Sequence, residues 1–322
     1  MRRTGRSLLS VLILLFIVAL CSCELFTPAP GHGKVHILVY GNDYFNQALN
    51  DLQYTVVDAV QVGKALSALC EKQGLVKDVD YDVRFIYGAR LYSDYNKSIP
   101  EADRSRDLSW TYLSGELDRI AASSKDGDMT FLYFSGHGDN EYKSKVEYGT
   151  DTASKVVFAT RRTKDSSANY LVPVSTIREK IEAIHGTKVV FSDFCYSGAF
   201  VQAGYVSVTG SEYKELTATD LYSMRSDIRE SSSSFYLSAS RYYEVSEEEP
   251  LEKPSIYHGY FTKALLDALG WDEKSGTIIN GGVLKYGKIS FFDVANYVLR
   301  NDEASQTPMY NGGSNDIVLF SF

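Results

Sequence analysis

The chain is short of cysteine, short of positive charge and nearly without long apolar runs, and each shortage removes a class of function. Cysteine occurs only at Cys21, Cys23, Cys70 and Cys195 in 322 residues. That is too sparse for the disulfide framework that staples small secreted domains. Lysine and arginine number 33 against 41 acidic residues, a formal charge of −8. An acidic surface with no basic stripe repels phosphates, so nucleic acid is excluded as a partner. Histidine, cysteine and carboxylate side chains never gather at metal-ligand spacing, and no metal or other cofactor is expected. No internal repeat is visible. The one long apolar run, "SLLSVLILLFIVAL", follows the basic stretch "MRRTGR" and is too short to span a bilayer comfortably.

Directly after that run comes "LCSCE". It resembles a bacterial lipobox, with Leu20 three residues and Ser22 one residue before an acceptor Cys23; Cys21 stands where a small residue is usual. The expectation is a lipoprotein signal peptide over residues 1–23, lipid on Cys23, and export to the bacterial cell envelope, with the membrane met through that lipid. A plain signal peptide and a retained membrane anchor are the alternatives. Residues 24–34, "ELFTPAPGHGK", read as a Pro/Gly tether that includes His32. Cys70 falls on the apolar face of a helical pattern, where burial is the ordinary fate of a free cysteine. Cys195 is then left as a free thiol outside the cytoplasm, which asks for a reason.

A composition 44% hydrophobic and 23% charged suits a folded chain with ample core. From residue 35 onward, strand and helix signals alternate. "VHILVYG", "YDVRFIYG", "MTFLYFSG", "KVVFSDF", "SFYLSAS" and the closing "DIVLF" read as strands, with a short strand-like piece at 156–160. Helical periodicity covers 55–73, where Val56, Val60, Val62, Leu66 and Leu69 share a face, and recurs in "LSWTYLSGELDRIAASS", "VSTIREKIEAIHG", "YHGYFTKALLDALG" and "SFFDVANYVLRN". Such alternation predicts one α/β domain with a mostly parallel central sheet of about six strands flanked by helices. Sheets of this kind place their sites at the carboxyl ends of strands.

Two strands end in small residues around one reactive side chain. "YFSGHGDN" carries His137 between glycines, and "FSDFCYSGAF" carries Cys195. A thiolate nucleophile needs a base or cation to lower its pKa from about 8.5. It also needs backbone N–H donors aimed at the oxyanion formed on attack. Glycine lets main chain approach a substrate with no Cβ in the way.

These boxes resemble those of the caspase-like cysteine peptidases, and among them the metacaspases and related bacterial enzymes. "VVDA" before the first long helix, "YLSASRYYE", "GYFTKALLDAL" and "QTPMYNGGSND" extend the resemblance over about residues 35–322. His137 precedes Cys195 by a little under sixty residues, near the spacing of roughly 50 in the caspase signature. The resemblance implies a caspase-like three-layer sandwich: a large-subunit-like part at 35–206, a polar connector at 207–233 and a small-subunit-like part at 234–322. It implies Cys195 as nucleophile, His137 as its acid/base partner, and the amides of Gly138 and Cys195 as the oxyanion hole. Asp58, Ser135 and Asp193 match positions that line the primary specificity pocket in metacaspases. The caspases that cleave after aspartate hold a Q-A-C-R-G box, whereas this chain has Asp-Phe-Cys-Tyr-Ser. An acidic pocket rejects aspartate and welcomes Arg or Lys. Protein or peptide substrates with Arg or Lys are therefore the expected partners. Calcium activation occurs among metacaspases, yet Asp139, Glu141, Asp151 and Asp165 form no readable loop motif.

Plainer readings stand beside these. Asp58 suits a helix N-cap, and Asp193 a buried carboxylate satisfied by backbone. His185 reads as a helix C-terminal charge, His258 as a residue at a helix start, and "EVSEEEP" at 244–250 as a solvated loop from which an acidic residue reaches a basic substrate. Ser197 in "CYSGA" resembles a nucleophile elbow without its outer glycines, which keeps a serine hydrolase as a rival. A catalytically silent caspase-like binding module on the envelope is the other alternative.

Overall fold

Apolar runs unbroken by polar alternation form the centre of the molecule, as expected for strands covered on both faces. The computed structural model describes residues 33–45, 47, 49–88, 97–140, 156–161, 170–202, 233–248, 257–279, 281–311 and 316–322. Within it, β1 (Val35–Gly41), β2 (Tyr81–Tyr87), β3 (Arg104–Ser105), β4 (Met129–Ser135), β8 (Thr187–Asp193), β9 (Ser234–Ser238) and β13 (Met309–Asn311) form one sheet. Their order is β13-β9-β8-β4-β1-β2-β3, and every pair is parallel except β13 with β9.

This is the expected mostly parallel sheet with helices on both faces, with one strand more than anticipated. The addition comes from β3 and β13, of two and three residues, too short to leave a periodic signal. "DIVLF" contributes β14 (Val318–Ser321), but β14 pairs with β12 (Lys288–Ser290) in a separate two-stranded sheet. The short piece at 156–160 is β6 (Val156–Ala159), the middle strand of a small antiparallel sheet between β5 (Gly138–Asn140) and β7 (Leu171–Pro173). Strands β10 (Trp271–Asp272) and β11 (Thr277–Ile278) form a short antiparallel pair of their own.

Period-two alternation along the central strands divides the core into two layers. Ile37, Val39, Phe131, Tyr133, Val189 and Phe191 face helices α1 (Thr55–Lys72), α5 (Tyr260–Leu269) and α6 (Phe291–Asn301). Leu38, Tyr40, Leu132, Phe134 and Val190 face α2 (Trp110–Ser123), α3 (Val174–Glu182) and the short α4 (Ala199–Gln202). Each large side chain so buried contributes about 1.5–3 kcal/mol. The helices start and stop where their sequences direct. Ser109 and Ser290 cap α2 and α6 by accepting from the Tyr112 and Asp293 amides, and α5 ends on Gly270 at φ 74°. Cys70 lies buried on α1 as expected, and burial pushes its thiol up to about 12. Among the described residues, no helix is long and apolar enough to cross a membrane.

Candidate active site

Parallel pairing of β4 with β8 sets the geometry, because its register aligns Ser135 with Asp193 at the carboxyl ends. His137 and Cys195 each lie two residues further on, so both reactive side chains leave the sheet at the same level. The two turns interlock. A Cβ on Gly138 would lie 2.0 Å from the Cys195 carbonyl oxygen, so only glycine allows this approach of main chain to main chain. Tyr196, directly after the thiol, adopts φ 66°, a left-handed conformation that a tyrosine rarely takes, and its amide donates to the Glu244 carbonyl at 2.7 Å.

The imidazole of His137 is held on two sides. Its backbone amide donates to the Tyr44 hydroxyl at 2.8 Å, and the Tyr44 ring lies 4.6 Å from the imidazole, centre to centre. Nε2 lies 2.8 Å from the carbonyl oxygen of Asn50. A carbonyl only accepts, so Nε2 carries a proton, and in the neutral ring the lone pair is on Nδ1. The Cys195 Sγ lies 3.7 Å from the Ser246 carbonyl, to which it donates.

His137, Cys195 and three carboxylates, Asp58, Asp193 and Glu248, line one pocket, together with Ser135, Ser246 and Gly259. Asp193 accepts from the Ser246 hydroxyl at 2.7 Å and the Thr262 hydroxyl at 2.6 Å. Because Thr262 donates there, the Tyr133 hydroxyl must donate to Thr262, 2.6 Å away. Asp58 meets Nδ1 of His258 at 2.6 Å and accepts from the Gly259 amide at 3.2 Å. Glu248 accepts from the amides of Gln53 and Tyr54 at 3.0 and 3.4 Å. Burial pushes all three carboxyls above the ordinary range, Asp58 to about 7. Burial alone would depress His258, but hydrogen bonds to Asp58 and Glu273 outweigh it and hold the imidazole up at about 9.

The structure brings together most of the residues singled out in the sequence and corrects several plainer readings. Asp58 is not an N-cap: Tyr54 occupies that position of α1, with no side-chain capping bond, and Asp58 sits inside the first turn with its carboxylate turned to His258. His258 is 2% exposed and clamped between Asp58 and Glu273, far more than a residue at a helix start. "EVSEEEP" is not simply a solvated loop, since Ser246 and Glu248 enter the pocket. Ser197 is fully buried and accepts from the Ser240 amide, so it presents no nucleophile to solvent. His185 stands near the end of α3 with Nδ1 3.6 Å from Asp126. Cys23, His32, Glu141, Asp151, Asp165 and residues 207–232 of the polar connector lie outside the described residues. Among the described residues, no group of three or more His, Cys, Asp or Glu side chains has the arrangement of a metal site.

A mostly parallel sheet between helical layers, with a thiol and an imidazole leaving the ends of adjacent strands, defines the caspase-like class. The family model of the caspase domain matches residues 34–311, and the chain belongs to that family. No curated protein matches it significantly. The crystal structure of a protein from Geobacter sulfurreducens is similar over 87% of this chain and 93% of its own, with 14% identity and a TM-score of 0.49.

Proposed function

We propose that this chain is a cysteine endopeptidase that cleaves after Arg or Lys, with Cys195 as nucleophile and His137 as its acid/base partner. The observation that carries the reading is the pocket, in which a thiol, an imidazole, the buried carboxylates of Asp58 and Asp193 and the half-buried Glu248 share one small space. His137 takes the Cys195 proton through Nδ1 while the Asn50 carbonyl holds Nε2. The thiolate attacks the carbonyl carbon, and the C–S bond forms as the carbonyl electrons move onto oxygen. Amides of Gly138 and Cys195 receive that oxyanion. Collapse expels the amine, protonated by His137, and water then hydrolyses the thioester. A basic side chain preceding the scissile bond enters the acidic pocket beside Asp193 and Ser135, where aspartate would meet like charge.

A thiol-directed peptide mimic ending in arginine tests this reading. It should label Cys195, mapped by mass spectrometry of the digested protein, and the aspartate analogue should not. Label on neither cysteine nor serine, with no peptide hydrolysis, would favour the silent binding module instead. Acylation at Cys23 and tethering to the bacterial envelope complete the proposal, supported by the basic stretch, the short apolar run and "LCSC". The mass of the N-terminal peptide from the exported protein checks it.

A further inference from the structure

The pocket's carboxylates are not equivalent in charge balance. Asp58 already has a partner, because the buried His258 imidazole lies against its Oδ1 at 2.6 Å and against Glu273 Oε2 at 3.0 Å. With a carboxylate on each side, that ring is a cation at neutral pH. Asp193 receives two neutral hydroxyls, and Glu248 two backbone amides. These donors satisfy oxygen lone pairs without cancelling charge. The negative charge with no cation in contact therefore resides on Asp193, which meets the His258 cation only at longer range, and on Glu248.

Glu248 is placed there by specific contacts. It forms an antiparallel β-bridge with Gly259, the residue next to His258. Gly259 also keeps the pocket floor open: a Cβ there would stand 2.6 Å from Asp193 Oδ2 and 3.3 Å from Asp58 Oδ2. The floor thus brings carboxylates from β8, α1 and the loop after β9 around one point. The bonds to Gln53 and Tyr54 also fasten Glu248 to the start of α1, a structural role that the test must separate from recognition.

We infer that Glu248, with Asp193, is the direct acceptor of the incoming basic side chain, and that Asp58 is reserved for His258 as an internal ion pair. The inference rests on the basic-specificity reading of this pocket and reassigns its second acceptor. A guanidinium then bridges two carboxylates from different elements, which favours Arg over the point charge of Lys.

Calorimetry on full-length Cys195→Ala protein tests the assignment without turnover. The probes are two acetylated tetrapeptide amides ending in arginine or in citrulline, its neutral isostere. The arginine peptide should bind at least about tenfold tighter. Glu248→Gln should cut that ratio by about tenfold, and Glu248→Asp should retain most of it. The double substitution Asp58→Asn/His258→Asn removes a charge pair as a unit, and should leave the ratio within about threefold. Each ratio is measured on one protein, so a loss of stability in a variant cancels from it. A ratio unchanged by Glu248→Gln, or abolished by the double substitution, overturns the assignment. No arginine preference in the Cys195→Ala protein overturns the cation-binding pocket altogether. A retained preference with no hydrolysis by the unmutated protein would strike only the peptidase reading.

Discussion

The two ends of the central sheet both bury carboxylates beside a histidine, but they treat the charge in opposite ways. At the amino ends, His36 Nδ1 and Lys34 Nζ lie 3.0 and 2.9 Å from Asp82 Oδ2. Burial would raise Asp82, but those two partners outweigh it and hold the carboxyl down at about 2. Asp128 nearby accepts from the Lys34 and Lys125 amides, each at 2.8 Å. At the carboxyl ends, Asp58, Asp193 and Glu248 are all pushed upward, with His258 as the neighbouring imidazole. Compensated carboxylates at one end fasten strands together. At the other end Asp58 alone of the three meets a cation, and Asp193 and Glu248 are the proposed acceptors of a cationic guest.

The sharpest way to break this contrast is to remove the reacting group from the pocket end. Cys195→Ala should abolish peptide hydrolysis, a loss on the order of 10⁴-fold or more, while thermal unfolding stays near that of the unmutated protein. Residual turnover within tenfold would remove Cys195 from the mechanism.

Next in size is the pocket charge. Asp193→Asn should lower kcat/KM after arginine by roughly 30- to 1,000-fold, the equivalent of about 2–4 kcal/mol of lost charged hydrogen bonding. Cleavage after citrulline should change far less; an equal fall for both peptides would make Asp193 structural. The raised carboxyls add a pH sign. As pH falls toward the ordinary carboxylate range of about 4, Asp193 and Glu248 take up protons earlier than ordinary acids would. Arginine preference should therefore fade on the acid side before the fold does.

The opposite end should answer in stability and not in specificity. Asp82 is depressed in the folded state, so its contribution is present above the unfolded value near 3.9 and is lost as pH falls toward about 2. Discounted for partial solvent screening, Asp82→Asn should cost about 1–2 kcal/mol at pH 7 in denaturant unfolding. Most of that difference should vanish near pH 2.5, and the arginine-to-citrulline ratio should stay unchanged. A shifted ratio would mean that the two ends are coupled. The smallest effect is expected at Ser197. With its hydroxyl buried against the Ser240 amide, Ser197→Ala should cost about 1 kcal/mol of stability and less than about threefold in activity. A dead Ser197→Ala protein would revive the serine-hydrolase rival.

How much of this was legible in the chain depends on where each signal is written. β1, β4 and β8 are continuous apolar runs, and the His137 and Cys195 boxes continue two of them, so strand and reactive residue are read from the same stretch. Asp193 was legible for the same reason, because it shares a strand with the thiol turn. Glu248 was legible only as one of several acids in "EVSEEEP" that could meet a basic substrate, and the role of His258 was not legible. Glu248 enters the pocket from the loop after β9, His258 lies against Asp58 from the residues before α5, and nothing within "EVSEEEP" or "IYHGY" reports the β-bridge that joins those segments. "DIVLF" shows the complementary failure: its pattern marks a strand, but partner choice is a tertiary matter, and β14 pairs with β12 outside the main sheet.

The most direct test of the cation-receptor claim is the hydrolysis rate of three peptides that differ only in the residue before the scissile bond: arginine, citrulline and aspartate. Measured at about pH 7.5 on the full-length protein, kcat/KM should favour arginine over citrulline by about 100-fold or more, and aspartate should lie lowest. Equal rates for arginine and citrulline, or a preference for aspartate, would contradict the claim that the buried carboxylates beside Cys195 form a receptor for a cation.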